Sequence, residues 1–281
     1  MPREVTVSTI TDTIASLCGK ANVFLPSGSR ERLALCGKRE TSPLCREIFG
    51  DLVKNLDCAA EHNIPICQDT GMAVVFLDIG QDVHIVGGDL TDAVNDGVRR
   101  GYKDNYLRMS VVRDPLERVN TGDNTPCIIH TRIVSGDKVS VTLAPKGFGS
   151  ENMSAIKMFT PSASREDIIA FVTNMVQTAG GNPCPPIVVG VGLGGDFEYA
   201  AILAKRALIR GEGELNAAPF YRELENDMLT RINALGIGAG GFGGDITALA
   251  VNIEVFPTHI AGLPCAVNIG CHVNRHLSAV I

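Results

Sequence analysis

Tryptophan is absent from these 281 residues, and aromatic residues together make up only 5% of them. Ligand titrations therefore cannot be followed by tryptophan fluorescence. An excess of basic charge is missing as well: the formal net charge is −6 and the pI about 5.5. A nucleic-acid partner is not expected, because its binding face needs clustered lysine and arginine. No apolar run approaches the ~20 residues that span a bilayer, so no membrane partner is expected either. The opening residues, MPREVTVSTITD, lack a basic segment leading into an apolar one. That argues against a signal peptide and for a cytoplasmic location. No CxxC pair occurs, which argues against a zinc finger or ribbon. No internal repeat or low-complexity linker interrupts the chain, so a single domain over residues 1–281 is expected.

What is present suits an ordinary globular protein: 45% hydrophobic and 20% charged residues. The length allows a sizeable core. The nine cysteines are Cys18, Cys36, Cys45, Cys58, Cys67, Cys127, Cys184, Cys265 and Cys271. An odd number in a long chain speaks against a secreted disulfide framework. Cys18, Cys45 and Cys58 fall within helix-like patterns and are expected to be small buried hydrophobes.

Periodicity predicts helices over residues 11–20 and 43–62. In the second, Leu44, Ile48, Leu52 and Leu56 recur on one face, and Pro43 suits a first helical turn. Further helices are expected over 91–107, from Ser164 to about Gly180, over 197–208 and over 219–235. Ser164 and Asp167 form a capping-box signal. Strands are expected over 73–79, 187–191 and 249–256. Residues 127–134 and 138–144 alternate around Ser135-Gly136-Asp137, a hairpin signal. Helices and strands are mixed without regular alternation. The expected class is α/β with irregular α+β order and short sheets.

Three glycine-rich stretches stand out. VVGVGLGGDFEYA carries Gly190, Gly192 and Gly195 in GxGxxG spacing between a strand and a helix, which opens the reading of a dinucleotide-dependent oxidoreductase. The acidic residue closing a second strand about 20 positions on is missing. KGFGSEN and GIGAGGFGGD are the other two. Glycine turns at helix starts suit anions, and the three together suggest an anion-lined cavity.

Cys67, Cys184 and Cys271 lie in loops, in the stretches PICQDTG, NPCPP and NIGCHVNRH. They are far apart in sequence, and only a fold can bring them together. Cys265 is a rival to Cys271. Three loop thiols without a clear fourth suggest an iron–sulfur cluster with one iron left open.

The loops CQDTG, GFGSEN, NPCPPIVVGVGLGG and GFGGD, with the terminal IGCHVNR, resemble the iron–sulfur hydro-lyases, the class I fumarases and L-tartrate dehydratases. The resemblance runs in order along the chain and implies the α subunit of a two-subunit enzyme, with a separate β subunit in a hetero-oligomer. It implies that Cys67, Cys184 and Cys271 hold a 4Fe–4S cluster. Gln68 and Asp69 would contact a dicarboxylate substrate, Arg108 would bind one of its carboxylates, and the Gly149 amide would face it. His259 matches a family histidine near the catalytic acid, and Asp69 with His259 would handle the proton. Phe148 stands where the family often has glycine. Fumarate and L-malate are the first substrates implied, with L-tartrate as the alternative.

Overall fold

The structure is a computed structural model and describes residues 2–211 and 213–281. In chain order its elements begin β1 (Arg3–Thr6), α1 (Val7–Val23), α2 (Ser29–Arg39), α3 (Pro43–His62), β2 (Met72–Gly80), β3 (Val83–Val86) and α4 (Leu90–Asp104). They continue with β4 (Ile128–Val134), β5 (Val139–Lys146), α5 (Phe148–Glu151), β6 (Ala155–Phe159), α6 (Arg165–Ala179), β7 (Ile187–Gly195) and α7 (Phe197–Ala207). The last are α8 (Pro219–Asn233), β8 (Ala248–Thr258), β9 (Leu263–Gly270) and β10 (Leu277–Val280). The class is mixed α/β with irregular order, as the sequence predicts.

The chain divides into two compact units. One runs through Pro26 and takes in Leu56–Phe148 and Arg275–Ile281; the other comprises Ser27–Asn55 and Gly149–Asn274.

In the first unit a four-stranded sheet has the order β10-β5-β2-β4. β2 runs parallel to β4 and antiparallel to β5. The expected hairpin between residues 127–134 and 138–144 is therefore not formed, because β2 lies between the two strands. The reason is burial. β2 is almost wholly buried and needs ladder partners along both edges, whereas the largely exposed β4 suits a sheet edge. Ile79 faces Val139 on one side and Ile133 on the other. The core of this unit sets Ile10, Ile14, Val94, Val98 and Tyr102, from α1 and α4, against Val75, Leu77, Val141 and Leu143.

The second unit is built on a sheet of order β6-β9-β7-β8. Ile169, Val172 and Val176 of α6, with Leu224, Met228 and Ile232 of α8, pack on Val189, Val191, Val251 and Ile253. Ala200 and Ala204 of α7 meet Ala266. The predicted capping box opens α6, with Ser164 and Asp167 each satisfying the other's backbone, and Gly180 ends it at φ 54°.

The GxGxxG stretch is not a phosphate turn. Gly190 and Gly192 lie inside β7, where a Cβ would come within 2.2 Å of Ala204 O and 2.0 Å of Ala200 O. These glycines let α7 lie directly on the strand. Asp196 caps α7 by accepting from Tyr199 N at 2.9 Å, so a carboxylate already holds the position a phosphate would take. The dinucleotide reading built on Gly190, Gly192 and Gly195 is set aside. Gly192→Ala is expected to cost about 3 kcal/mol by overpacking, read as a lower urea midpoint. An unchanged midpoint would refute the close approach of α7.

Candidate functional site

The stretch from Pro65 to Gly71 leaves α3 and leads into β2, and its main chain is fastened at Ile66 and again from Asp69 to Gly71. Ile66 N donates to Asn22 O at 2.9 Å. The Asp69 carboxylate accepts twice: Oδ1 from Gly71 N and Oδ2 from Phe148 N, each at 3.0 Å. The first bond is an Asx turn. The Asp69 carbonyl accepts from Arg275 Nη2, and Pro145 O from Arg275 Nε at 3.3 Å. Tyr102 Oη lies 2.8 Å from Thr70 O and 3.0 Å from Gly71 O, and Asn124 Nδ2 donates to Gly71 O at 3.2 Å. Burial pushes the Tyr102 phenol far above its ordinary range, so it stays a donor.

Thr70 ties Arg108 to this loop. Its Oγ1 accepts from Arg108 N at 2.9 Å and donates to Arg108 O at 3.2 Å. The Arg108 side chain is exposed, and its guanidinium makes no hydrogen bond or ion pair among the described residues. Gln68 is likewise exposed with no side-chain partner among them. The sequence marked Cys67, Gln68, Asp69 and Arg108. It assigned no role to Thr70, Tyr102, Asn124 or Arg275, which act through contacts distant in sequence.

In the second unit Cys184 sits at φ 56°, a left-handed conformation unusual outside glycine. Its N–H donates to Gly181 O at 3.1 Å. Its carbonyl accepts from His272 N at 3.4 Å and lies 3.0 Å from His272 Nδ1. This brings the Cys184 loop to the residue following Cys271. GIGAGGFGGD backs the loop from the other side, with Gly240 N donating to Pro185 O at 2.9 Å. Glu40, 1% exposed, holds that glycine stretch by accepting from Asp245 N and Ile246 N at 3.0 and 3.1 Å. Cys45 Sγ lies 2.8 Å from Gly243 O. The third glycine stretch thus acts as scaffold for a cysteine loop rather than as the wall of an anion cavity.

Gly149 lies in the short turn α5 and is exposed. The single neighbour a Cβ there would meet within 4 Å is Asn182 O, at 3.8 Å. Neither crowding nor a left-handed backbone requires glycine at this position. His259 follows β8 and is exposed. Its Nδ1 accepts from Ala261 N at 3.1 Å, which leaves Nε2 as the N–H of the neutral ring.

The cysteines separate by environment. Cys18, Cys45, Cys127 and Cys265 are buried; Cys67 and Cys271 are half-buried, and Cys184 is exposed. Cys58 is exposed too, a correction to the expectation that it packs inside. Cys265, the rival to Cys271, lies within β9 at 0% exposure, and burial pushes its thiol up to about 12. Cys127, three residues before His130, is buried too, and burial pushes its thiol up to about 12 as well. Among the described residues no cysteine is in a disulfide, and no three His, Cys, Asp or Glu side chains cluster tightly enough to hold a single metal ion.

The sequence that carries these loops matches one family. The chain belongs to the fumarate hydratase (Fumerase) family, whose sequence model matches residues 11–280, and is thereby a hydro-lyase. It is similar to a protein of Methanocaldococcus jannaschii named putative L(+)-tartrate dehydratase subunit alpha. The two are 40% identical over 272 residues, covering 95% of each chain. It is also 28% identical, over 97% of its own length and 91% of the relative's, to the L(+)-tartrate dehydratase subunit alpha of Escherichia coli K12. The same identity and coverage hold for the protein of that name from Shigella boydii.

Two predictions follow from the cysteine environments. Iodoacetamide at pH 8 should label Cys58 and Cys184 in the native chain and leave Cys18, Cys45, Cys127 and Cys265 unlabelled until the chain unfolds, as read by peptide mass mapping. Folding also raises the Cys127 and Cys265 thiols from 9.0 to about 12. The folded state therefore favours the neutral thiol. That stability is complete below pH 9 and is lost as pH rises towards 12. Cys265→Ala should make the alkaline fall in melting temperature shallower, and an unaltered slope would contradict this.

Proposed function

We propose that this chain is the α subunit of an iron–sulfur hydro-lyase that, with a separate β subunit, adds water to or removes it from a four-carbon dicarboxylate. The observation carrying this reading is the loop after Cys67. Its main chain is fixed through Asp69, Thr70 and Gly71, while Gln68 and the Arg108 guanidinium stay exposed and uncommitted among the described residues.

The thiols suit a cluster. Cys67, Cys184 and Cys271 stand on loops outside the apolar core and outside any disulfide, and the competing Cys265 is sealed within a sheet. These three residues hold a 4Fe–4S cluster in this reading. Bound by three thiolates, such a cluster supplies an iron with an open position, a Lewis acid for a hydroxyl leaving group. The chain's own residues do the rest. Arg108 offers a planar fork to a substrate carboxylate, and Gln68 offers its amide beside the first thiol. At Gly149 the missing Cβ lets the substrate approach the backbone N–H, which stabilises charge developing on the carboxylate. Asp69 keeps a lone pair on each oxygen beyond its two backbone bonds. With His259 Nε2 it handles the proton at the carbon next to the one bearing the hydroxyl.

The names of the relatives as alpha subunits support a β partner, and the whole of 1–281 is taken as one α-subunit module. No helix among the described residues is long and apolar enough to cross a membrane, and we place the protein in the cytoplasm. Fumarate and L-malate are the substrates suggested by the family. L(+)-tartrate, which differs from malate by a second hydroxyl, is a second reading favoured by the names of the relatives.

Iron and acid-labile sulfide after anaerobic reconstitution test the cluster: about four of each per chain are expected. A chain that takes up no sulfide would sink the proposal. Turnover of fumarate, L-malate and L(+)-tartrate with the β subunit then separates the two substrate readings. Gly149→Ala should lower kcat/KM by about 10²-fold at an unchanged unfolding midpoint. Asp69→Asn should lower kcat by at least ~10²-fold, and near-normal turnover would remove it from the proton step.

A further inference from the structure

Arg275 is 4% exposed. Its guanidinium donates to two main-chain carbonyls, those of Asp69 and Pro145. The third nitrogen, Nη1, is buried with no hydrogen-bond partner. As a device for stability this is poor. Taking a guanidinium out of water is costly, and an unmet buried donor adds to the cost. An apolar side chain of similar volume would hold the fold at least as well.

The arrangement does fix geometry. Asp69 O belongs to the loop that follows Cys67, and Pro145 O to the strand end that leads into Gly147 and Phe148. The rigid fork of Arg275 spans both segments. The same segments are joined a second time, by Asp69 Oδ2 accepting from Phe148 N at 3.0 Å. Gly147 leaves room for this crossing, since a Cβ there would lie 3.0 Å from Asp69 Oδ2 and 3.8 Å from Arg275 Nη2. Asp69 is thus held at both ends: its carbonyl by Arg275, and its carboxylate by Gly71 and Phe148. With one tie the loop can pivot about it; with two it cannot.

We infer that Arg275 is a positioning residue of the hydro-lyase site. It acts through Asp69, fixing that carboxylate and the Gly147–Phe148 peptide relative to each other. The inference rests on the hydro-lyase reading above. Lysine would keep the charge but cannot reach two carbonyls from one planar group.

The test uses the full chain, reconstituted and assembled with its β subunit, as Arg275→Lys and Arg275→Ala. Arg275→Lys is expected to lower kcat by about 10²-fold through misplacement, with KM, iron and sulfide per chain, and melting temperature close to the parent's. Adding millimolar guanidinium to Arg275→Ala should restore part of kcat, whereas methylammonium should not. Hydrogen exchange on the α chain alone gives a readout independent of activity. The amides of Gly71 and Phe148 should exchange at least tenfold faster in Arg275→Lys, while those of β7 are unchanged. Parent-like kcat overturns the inference, as does unaltered protection at Gly71 and Phe148. It is equally overturned if both variants lose cluster or melting temperature in proportion to activity, since Arg275 would then only hold the fold. A parent enzyme inactive on every dicarboxylate defeats the hydro-lyase reading instead, and the exchange measurement still decides whether Arg275 fixes the loop.

Discussion

Three consecutive carbonyls, those of Asp69, Thr70 and Gly71, have to be given donors where the chain turns into β2. A buried carbonyl without a donor costs about as much as a lost hydrogen bond. Much of the first unit converges on meeting that demand. The α1–α4 packing buries Tyr102 so that its hydroxyl reaches Thr70 O and Gly71 O. The stretch between α4 and β4 brings Asn124 to Gly71 O. The final segment brings Arg275 to Asp69 O. Thr70 uses its hydroxyl to fasten Arg108. A loop this fully satisfied has little freedom left, and its outward side chains inherit that rigidity.

The second unit solves a similar problem in another way. Cys184 adopts a backbone conformation that costs a non-glycine residue free energy, and such a conformation persists only where its surroundings over-determine it. Gly181 and His272 hold the residue itself. Behind it stands a glycine-rich stretch that would be floppy alone. Glu40 converts that stretch into scaffold by accepting the Asp245 and Ile246 N–H groups at its end in a buried site. In both units a reactive side chain stands on a loop, and the loop is stiffened through bonds to its main-chain atoms.

Local features were legible in the sequence. α3 runs from Pro43 to His62 as its leucine spacing and leading proline predict, and the Ser164–Asp167 box opens α6. The run Cys67-Gln68-Asp69 could also be picked out, because nothing about packing explains it, and Arg108 through the family resemblance alone. Pairing was not legible. Alternation says that β4 and β5 each have two faces, and it cannot say that β2 will lie between them. Glycines in a turn and glycines under a helix look identical in composition; α7 decided which Gly190 and Gly192 would be. Arg275 sits in a short polar run near the chain end, and its burial depends on Asp69 and Pro145, more than a hundred positions away. Cys58 followed a helical pattern on a face that turned out to be exposed.

The first unit is assembled from three separate stretches of chain, the last of which is Arg275–Ile281. β10 pairs with β5, and Arg3 Nη1 donates to Ile281 O at 2.9 Å. A ribosome makes the chain from one end, so this unit stays open until its closing strand emerges. Contacts of such long sequence separation also form slowly. By then all three loop thiols have been synthesised, and the donor for the Asp69 carbonyl, Arg275, follows the last of them, Cys271. Order of manufacture thus runs thiols first and clasp after, and the newborn chain passes through an interval in which the Cys67 loop exists without the residue that locks it.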